Sequence, residues 1–271
     1  MTTFIYDSTT KFDWKNTSTF AFYYSLKDDV DSDSKYVHYD LISDGDAALF
    51  GVGLKDKLGE LTSGKVTDIV VHSYRGTMNI ADFSYDARAL GALMKKNNAA
   101  SNEKIFKVLF EGDDEIVLGL SNDVVKSFGG DDFIYGRSGN DTIDAGDGDD
   151  TLFGGVGNDT LTGGKGSDYF VFDTKPSSKN IDKITDFSLR DDMIVLDHLV
   201  FRKVGKAGAL ADTAFYVSSS GRAHDADDRI IYNKSSGSLI YDADGNRSGE
   251  GVVFAKISAG LKLTSDHFDI I

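Results

Sequence analysis

The sequence contains no cysteine, a single proline and no long hydrophobic run. Without cysteine the protein can form neither disulfides nor thiolate metal sites. No apolar stretch approaches the roughly 20 residues that a transmembrane helix needs. The first residues, MTTFIYD, contain neither a basic nor an apolar region. A cleaved N-terminal secretory signal is therefore not predicted.

Positive charge is also scarce. The chain has 29 Lys and Arg residues against 44 Asp and Glu residues, a net charge of −15. Nucleic acids and anionic membranes are recognised through clustered basic residues, so neither is a predicted partner. Metal cations are the natural counterpart of this much carboxylate. At 40% hydrophobic residues, the chain can nevertheless build packed cores.

Glycine and aspartate recur with a period of nine residues. The segment from Leu109 to Val171 contains seven such units in strict phase. Position four is glycine in all units but one, which has Ser121, and position five is always Asp, Asn or Ser. Position six is always aspartate: Asp114, Asp123, Asp132, Asp141, Asp150, Asp159 and Asp168. Position eight is always apolar: Ile116, Val125, Ile134, Ile143, Leu152, Leu161 and Phe170.

Each column of the repeat has a physical interpretation. Glycines permit positive φ angles and tight turns, and Asp or Asn at position five is expected to tolerate the left-handed region. Position eight is expected to point inward and to stack on its equivalents. Position six supplies hard oxygen ligands, of which calcium takes six to eight. Residues 109–171 hold fourteen acidic and three basic residues, so stacked turns would repel one another without counterions.

This pattern resembles the RTX family of calcium-binding proteins, whose nonapeptide consensus is G-G-x-G-x-D-x-U-x. The resemblance implies a mainly β fold, a right-handed parallel β-roll in which two nonapeptides form one turn. Calcium then lies between loop n and loop n+2, which gives up to five sites for seven loops. The first unit lacks the first two glycines and the second has Ser121, so weaker calcium binding is expected there.

The same resemblance implies a ligand set. Each site takes two of the position-six carboxylates and backbone carbonyls from positions one to four. The best such carbonyls belong to Gly136, Ser138, Ala145, Gly146, Asp147, Gly148, Gly154, Gly155, Val156, Gly157, Gly163 and Gly164. Asp182 and Asp186 are weaker candidates for an extra calcium, and a solvated strand edge explains them equally well.

Residues 172–271 resemble the region that follows the repeats in serralysin-type secreted proteases. The matching pieces are D-x-I-x-D-F at 182–187, I-Y-D-A-D-G at 240–245 and V-F-A at 253–255. This implies a β-rich C-terminal cap, with a hairpin turn at Ser235–Gly237. Asp242–Gly245 lacks the glutamate of an EF-hand twelve-residue loop, where Val253 stands, so a second turn is predicted there.

The last residues, Asp266–Ile271, resemble the uncleaved signal of type I secretion, although an ordinary last strand is the alternative. The resemblance implies export by the type I machinery of a bacterium and an extracellular location. Residues 1–108 carry no repeat and are predicted to form an α+β cap, with strands near 19–24, 37–41 and 66–72 and helices after Asp86 and at 103–108. The expected regions are thus 1–108, 109–171 and 172–271.

Catalytic signatures are missing from the sequence. It contains neither the metalloprotease H-E-x-x-H nor the lipase G-x-S-x-G, and its five histidines are scattered. The favoured interpretation is a non-enzymatic secreted calcium-binding protein that acts in adhesion, at the cell surface or on a host. The alternative is a small extracellular polysaccharide-acting enzyme with an unrecognised site in 1–108 or 172–271. The target and the oligomeric state are left open.

Overall fold

The computed structural model describes residues 110–120, 122–246 and 249–271, together with Lys107. It also describes the backbone of six strands in the N-terminal region: β1 (Thr2–Asp7), β2 (Tyr36–Leu41), β3 (Gly45–Lys57), β4 (Glu60–Ser73), β5 (Gly76–Ala81) and β6 (Tyr85–Asp86). The strands predicted near 37–41 and 66–72 are confirmed as β2 and as part of β4. The strand predicted near 19–24 and the two helices lie outside the described residues, apart from the helical Lys107.

Each of the seven nonapeptides contributes one short strand to a parallel roll. The strands are β7 (Asp114–Val117), β8 (Val124–Lys126), β9 (Phe133–Tyr135), β10 (Thr142–Asp147), β11 (Thr151–Phe153), β12 (Thr160–Lys165) and β13 (Tyr169–Phe172). Strands of odd number form one sheet, sheet A, and strands of even number form the other, sheet B. Each strand pairs in parallel with the strand two places on, as in the register of Ile134 with Leu152. Two nonapeptides therefore make one turn, as predicted.

The core of the roll is a column of position-eight side chains between the two sheets. Ile116, Ile134, Ile143 and Leu152 have no exposed surface, and the other three position-eight residues are also buried. Strand residues alternate between the two faces of a sheet, so positions seven and nine point outward. This confirms the inward stacking that the repeat predicts.

The parallel pairing continues beyond Val171, where the nonapeptide phase ends. The additional roll strands are β14 (Asp182–Ile184), β15 (Met193–Leu196), β20 (Val252–Lys256) and β21 (Phe268–Ile270). Sheet B gains β14 and β20, whereas sheet A gains β15 and β21. Ile184, Ile194 and Phe268 extend the buried core. Longer connections between these strands end the nine-residue period, but the parallel roll continues through them.

A small unit of mixed pairing, parallel between its first two strands and antiparallel between the next two, extends sheet B between β15 and β20. It follows β16 (Gly208–Ala209) and comprises β17 (Phe215–Ser218), β18 (Ile230–Asn233) and β19 (Ser238–Tyr241). The hairpin predicted between β18 and β19 is confirmed by their antiparallel register. Asp242–Gly245 lies in the connection from β19 to β20, which are also antiparallel. The turn predicted there in place of an EF-hand is therefore confirmed.

The N-terminal strands continue sheet A past the first nonapeptide. Strand β1 runs parallel to β7 on one side and antiparallel to β5 on the other. Strands β5, β4, β3 and β2 then follow in antiparallel order. The capping role of residues 1–108 stays a prediction. No helix in the described part of the chain is long and apolar enough to span a membrane.

The loops turn at positions two and four, and not at position five. Position four has positive φ in repeats three to seven, at glycine each time. Position two also has positive φ in those repeats, and it is non-glycine in two of them, at Phe128 (72°) and Arg137 (65°). The left-handed conformation expected at position five is thus wrong. Position five instead forms hydrogen bonds between loops, which are described below.

The positive φ of Arg137 allows a direct test of backbone strain. The Arg137 side chain is exposed, and a non-glycine residue in this region costs about 1–2 kcal/mol. We expect Arg137→Gly to raise the free energy of unfolding by about 0.5–1 kcal/mol, since glycine also gives the unfolded chain more freedom. Urea unfolding in calcium measures the change. Arg137→Ala is the matched control, because it removes the same side chain but keeps Cβ; a glycine variant no more stable than the alanine variant would contradict the prediction.

Candidate metal centre

The position-six aspartates form two columns, one along each edge of the roll. From Asp132 onward, the carboxylate Oδ1 of each aspartate accepts the backbone N–H of the aspartate one turn earlier. Asp132 accepts from Asp114 at 2.8 Å, and Asp141 accepts from Asp123 at 2.7 Å. The same bond joins Asp150 to Asp132, Asp159 to Asp141 and Asp168 to Asp150, at 2.7–3.1 Å. Every predicted position-six residue is therefore brought into one of these columns, and all seven are buried.

Each column continues by one residue beyond the nonapeptides. Asp182 accepts the N–H of Asp159 at 3.0 Å, and Asp192 accepts the N–H of Asp168 at 3.2 Å. Both are buried, with 3% and 5% exposed surface. Asp182 was predicted from the sequence, whereas Asp192 was not. The spacing from Asp192 to Ile194 matches that from position six to position eight, but the inward direction of Ile194 is seen only in the structure.

The second carboxylate oxygen of these aspartates points into the space between the loops. In Asp141, Asp150, Asp159 and Asp168, this Oδ2 atom is buried and meets no hydrogen-bond donor. A buried polar atom without a partner costs about 1–3 kcal/mol, and more when it carries charge. A repeated set of such oxygens is therefore more stable around a bound cation than around an empty space.

Burial changes the proton affinity of these carboxylates. It raises the pKa of Asp132 and Asp141 to about 8 and the pKa of Asp150 and Asp168 to about 7. Loss of hydration is the largest cause, and neighbouring aspartates add to it. Burial also raises the pKa of Asp159 and Asp182, whose carboxylates face each other. Ionised carboxylates are thus unfavourable in these columns unless positive charge lies between them.

Glycine at position one of repeats four, six and seven leaves room beside the Oδ2 atom of the same repeat. A Cβ atom on Gly154 would lie 2.7 Å from Oδ2 of Asp159 and 3.1 Å from Oδ2 of Asp182. A Cβ on Gly136 would lie 2.9 Å from Oδ2 of Asp141 and would collide with the carbonyl oxygen of Gly154. Each space is therefore lined by carboxylate and carbonyl oxygens, which is the donor set that calcium prefers.

The predicted carbonyl ligands lie either in the turns between roll strands or in the C-terminal halves of β10 and β12. The carbonyl oxygens of Gly146 and Gly148 face the next loop, where a side chain at Gly164 or Gly166 would collide with them. Several others already accept hydrogen bonds: Ala145 from Ser127 Oγ, Gly155 from Thr174 Oγ1, Asp147 from the Gly130 N–H and Val156 from the Gly139 N–H. A carbonyl has two lone pairs, so such a bond leaves one for a cation.

Position five ties the loops together in the opposite direction. Asp131 accepts the N–H of Asp149 at 2.8 Å, and Asn140 accepts the N–H of Asn158 at 2.8 Å. Here the side chain accepts from the next turn, whereas position six accepts from the previous one. This hydrogen-bonding role of position five was not predicted from the sequence. The recurrence of Asp, Asn or Ser at position five could have indicated it, because each of these side chains can accept a hydrogen bond from a neighbouring backbone N–H.

The second repeat departs from this geometry. Oδ2 of Asp123 accepts the N–H of Gly119 at 3.0 Å within its own loop. Position one is Leu118, whose side chain is fully buried in the core. These features agree with the weaker calcium binding expected for this repeat.

Asp186 lies apart from the aspartate columns. Its carboxylate accepts the N–H groups of Gly163 at 3.1 Å and Gly164 at 2.9 Å. The residue is exposed. Asp186 thus anchors the last repeat loop through hydrogen bonds, and its role as a calcium ligand stays a prediction.

Comparison with protein-family models agrees with this geometry. The family model of the RTX calcium-binding nonapeptide repeat matches residues 110–143 and 135–170. The solution structure of the AlgE6R3 subunit of the Azotobacter vinelandii mannuronan C5-epimerase is 22% identical, covering 59% of this chain and 78% of that chain, with a TM-score of 0.25. The comparison with curated proteins gives no match. Residues 110–170 are therefore RTX repeats, folded as a parallel β-roll whose ligand is Ca²⁺.

Proposed function

We propose that this protein is secreted and orders its roll on meeting extracellular calcium, and that it acts without catalysis, in adhesion, at the cell surface or on a host. The observation that carries the proposal is the pair of buried aspartate columns. Their Oδ2 atoms face oxygen-lined spaces and meet no donor in Asp141, Asp150, Asp159 and Asp168. Such columns are unfavourable in the folded chain alone and favourable around cations.

Five calcium sites would lie between successive position-six aspartates of one column. The pairs are Asp114 with Asp132, Asp123 with Asp141, Asp132 with Asp150, Asp141 with Asp159, and Asp150 with Asp168. The same hydrogen-bond pattern supports two further sites, Asp159 with Asp182 and Asp168 with Asp192. Carbonyls of positions one to four would complete each set of ligands.

The difference in calcium concentration across the cell boundary would control folding. Bound calcium would supply the positive charge that the columns lack. Extracellular calcium modules bind at about 10⁻⁴–10⁻³ M, so at cytosolic levels the carboxylates would stay ionised and repel one another. Because the sites do not exist in the unfolded chain, their binding free energy is folding free energy.

The location of the predicted export signal supports export before folding. Asp266–Ile271 includes strand β21, whose Phe268 and Ile270 are 0% and 2% exposed. A transporter that recognises these apolar side chains would have to bind them before the roll forms. Low calcium inside the cell would keep them accessible.

Counting bound ions tests the residue assignment. We expect native mass spectrometry in calcium to give seven ions per chain, or six if the site at Asp123 fills only at higher calcium. The double variant Asp182→Asn, Asp192→Asn should carry two fewer. Asp144→Asn is the matched control, because Asp144 pairs with Lys126 on the outer face of sheet B, and it should leave the count unchanged. Retention of all ions by the double variant would show that the aspartate columns do not define the sites, and a wild-type chain without ions would refute calcium binding.

A further inference from the structure

The two outer faces of the roll differ in chemistry although they follow one repeat. On strands β8, β10, β12 and β14 of sheet B, the outward residues are polar or charged apart from Val124: Lys126, Thr142, Asp144, Thr160, Thr162, Lys183 and Thr185. On sheet A, strands β7, β9, β11, β13 and β15 present aromatic and apolar residues outward, and Glu115 is their only charged one. Sheet B forms the same parallel roll with threonine at position seven, as at Thr142 and Thr160. The fold therefore does not require the aromatic residues that sheet A has at this position.

Four aromatic side chains surround Thr151 in the middle of sheet A. Phe133 and Tyr169 lie on the two neighbouring strands at the register of Thr151. They are 42% and 41% exposed, unusually high values for large aromatic side chains. Phe153 follows two residues along the same strand, and its ring stacks on Tyr135 with centroids 4.7 Å apart. The four rings and the threonine hydroxyl form one contiguous surface, which we call the aromatic slot.

The dimensions of the slot suit a flat ring with polar edges. Strands are about 4.8 Å apart, so Phe133 and Tyr169 stand about 10 Å apart across Thr151. A carbon atom packs on another at about 4 Å, so a single saturated ring fits between the two aromatic rings. Aromatic faces carry partial negative charge and attract the weakly positive C–H groups of a sugar. The hydroxyls of Thr151 and Tyr169 can bond the sugar hydroxyls.

Charge selects among sugars. Seven bound Ca²⁺ would offset nearly all of the chain's net charge of −15, so the lining of the slot itself decides which sugar is bound. Its residues offer no cation for a carboxylate or sulfate, and Glu115 is the charged residue that β7, β9, β11, β13 and β15 present outward, so an anionic sugar gains no ion pair there. We propose that the aromatic slot of Phe133, Tyr135, Thr151, Phe153 and Tyr169 binds a pyranose unit of an uncharged polysaccharide.

Sugar binding at this place would depend on calcium. Strands β9, β11 and β13 follow the loops of Asp132, Asp150 and Asp168, which form one aspartate column. The register that sets the distance between Phe133 and Tyr169 exists only when these loops are stacked. The protein would therefore acquire its sugar site only after it reaches extracellular calcium.

Affinity electrophoresis tests the proposal on the full chain. The gels contain cellulose ether, β-1,3-glucan, soluble chitin derivative or dextran as uncharged probes, and polygalacturonate as the anionic probe, each with calcium or with chelator. We expect at least one uncharged probe to retard the wild-type protein in calcium, and none to do so in chelator. The variant Phe133→Thr, Tyr169→Thr should bind at least tenfold more weakly.

Matched variants separate sugar binding from folding. The double threonine variant copies Thr142 and Thr160 of sheet B, so its calcium-dependent circular dichroism should equal that of the wild type. Val217→Thr changes an exposed strand residue elsewhere (38% exposed) and should bind sugar normally. Retardation by none of the uncharged probes, or equal retardation of the double variant, would overturn the proposal. Calcium-dependent folding is measured separately, so its failure is distinguishable.

Discussion

Removing calcium with a chelator should abolish most of the β-sheet circular-dichroism signal that residues 109–171 contribute. In the folded roll, seven position-six aspartates are buried in two columns. The pKa of Asp132 and Asp141 rises to about 8, chiefly through burial. Ionised aspartates without counterions would repel one another across each gap, and each would lose hydration worth several kcal/mol. The stacked loops should therefore come apart.

The sign of the pH dependence follows from the raised pKa values. A carboxyl whose pKa is raised on folding stabilises the calcium-free roll through its protonated form, and this contribution is complete below the unfolded pKa of about 4. This contribution is lost as the pH rises through about 7–8, the folded values of Asp132, Asp141, Asp150 and Asp168. Chelation should thus unfold the roll most completely above pH 8 and less at pH 5.

Two controls accompany the chelation experiment. Readdition of calcium should restore the signal, whereas magnesium at the same ionic strength should not, because magnesium keeps its water and demands a tighter octahedral site. An unchanged spectrum in excess chelator at pH 8 would rule out folding coupled to calcium. It would also mean that the buried carboxylates are stabilised by other contacts of the chain.

The sequence predicts the roll well where the nonapeptide phase is strict. The spacing predicts that position eight packs inward and that position six supplies ligands, whereas the resemblance to RTX repeats implies the pairing of loop n with loop n+2. The family match confirms calcium as the ligand. The phase is lost after Val171, since longer connections lead to β14 and β15. Asp192 could not be placed without the structure, because only the parallel register of Ile194 with Phe170 shows that it occupies position six.

Loop conformation was harder to predict than the columns. Asp or Asn is common both at positive φ and as a side-chain acceptor, so its presence at position five allowed two interpretations. The structure selects the acceptor role, as in the bond from the Asp149 N–H to Asp131. Phe128 and Arg137 then take the left-handed conformation at position two, which no local propensity favours. Stacking against the next loop overrides propensity at these two residues.

Replacing Asp150 with alanine should impair calcium-dependent folding far more than replacing Asp114. Asp150 lies between two sites of one column, since its Oδ1 accepts the N–H of Asp132 and its own N–H bonds Asp168. Its Oδ2 is buried and meets no donor. Asp114 belongs to the first loop and borders a single site, in a repeat whose glycines are incomplete. The loss of two sites rather than one should give the larger effect.

The size of the difference can be measured as the calcium midpoint of folding. We expect Asp150→Ala to raise the midpoint at least tenfold, which corresponds to about 1.4 kcal/mol, and Asp114→Ala to raise it only two- to threefold. Asp144→Ala is the matched control in the same segment, because it removes equal charge from a half-exposed ion pair with Lys126 on the outer face of the roll, worth about 1 kcal/mol or less. Equal midpoints for Asp150→Ala and Asp144→Ala would mean that local charge, and not membership of the column, sets the calcium requirement.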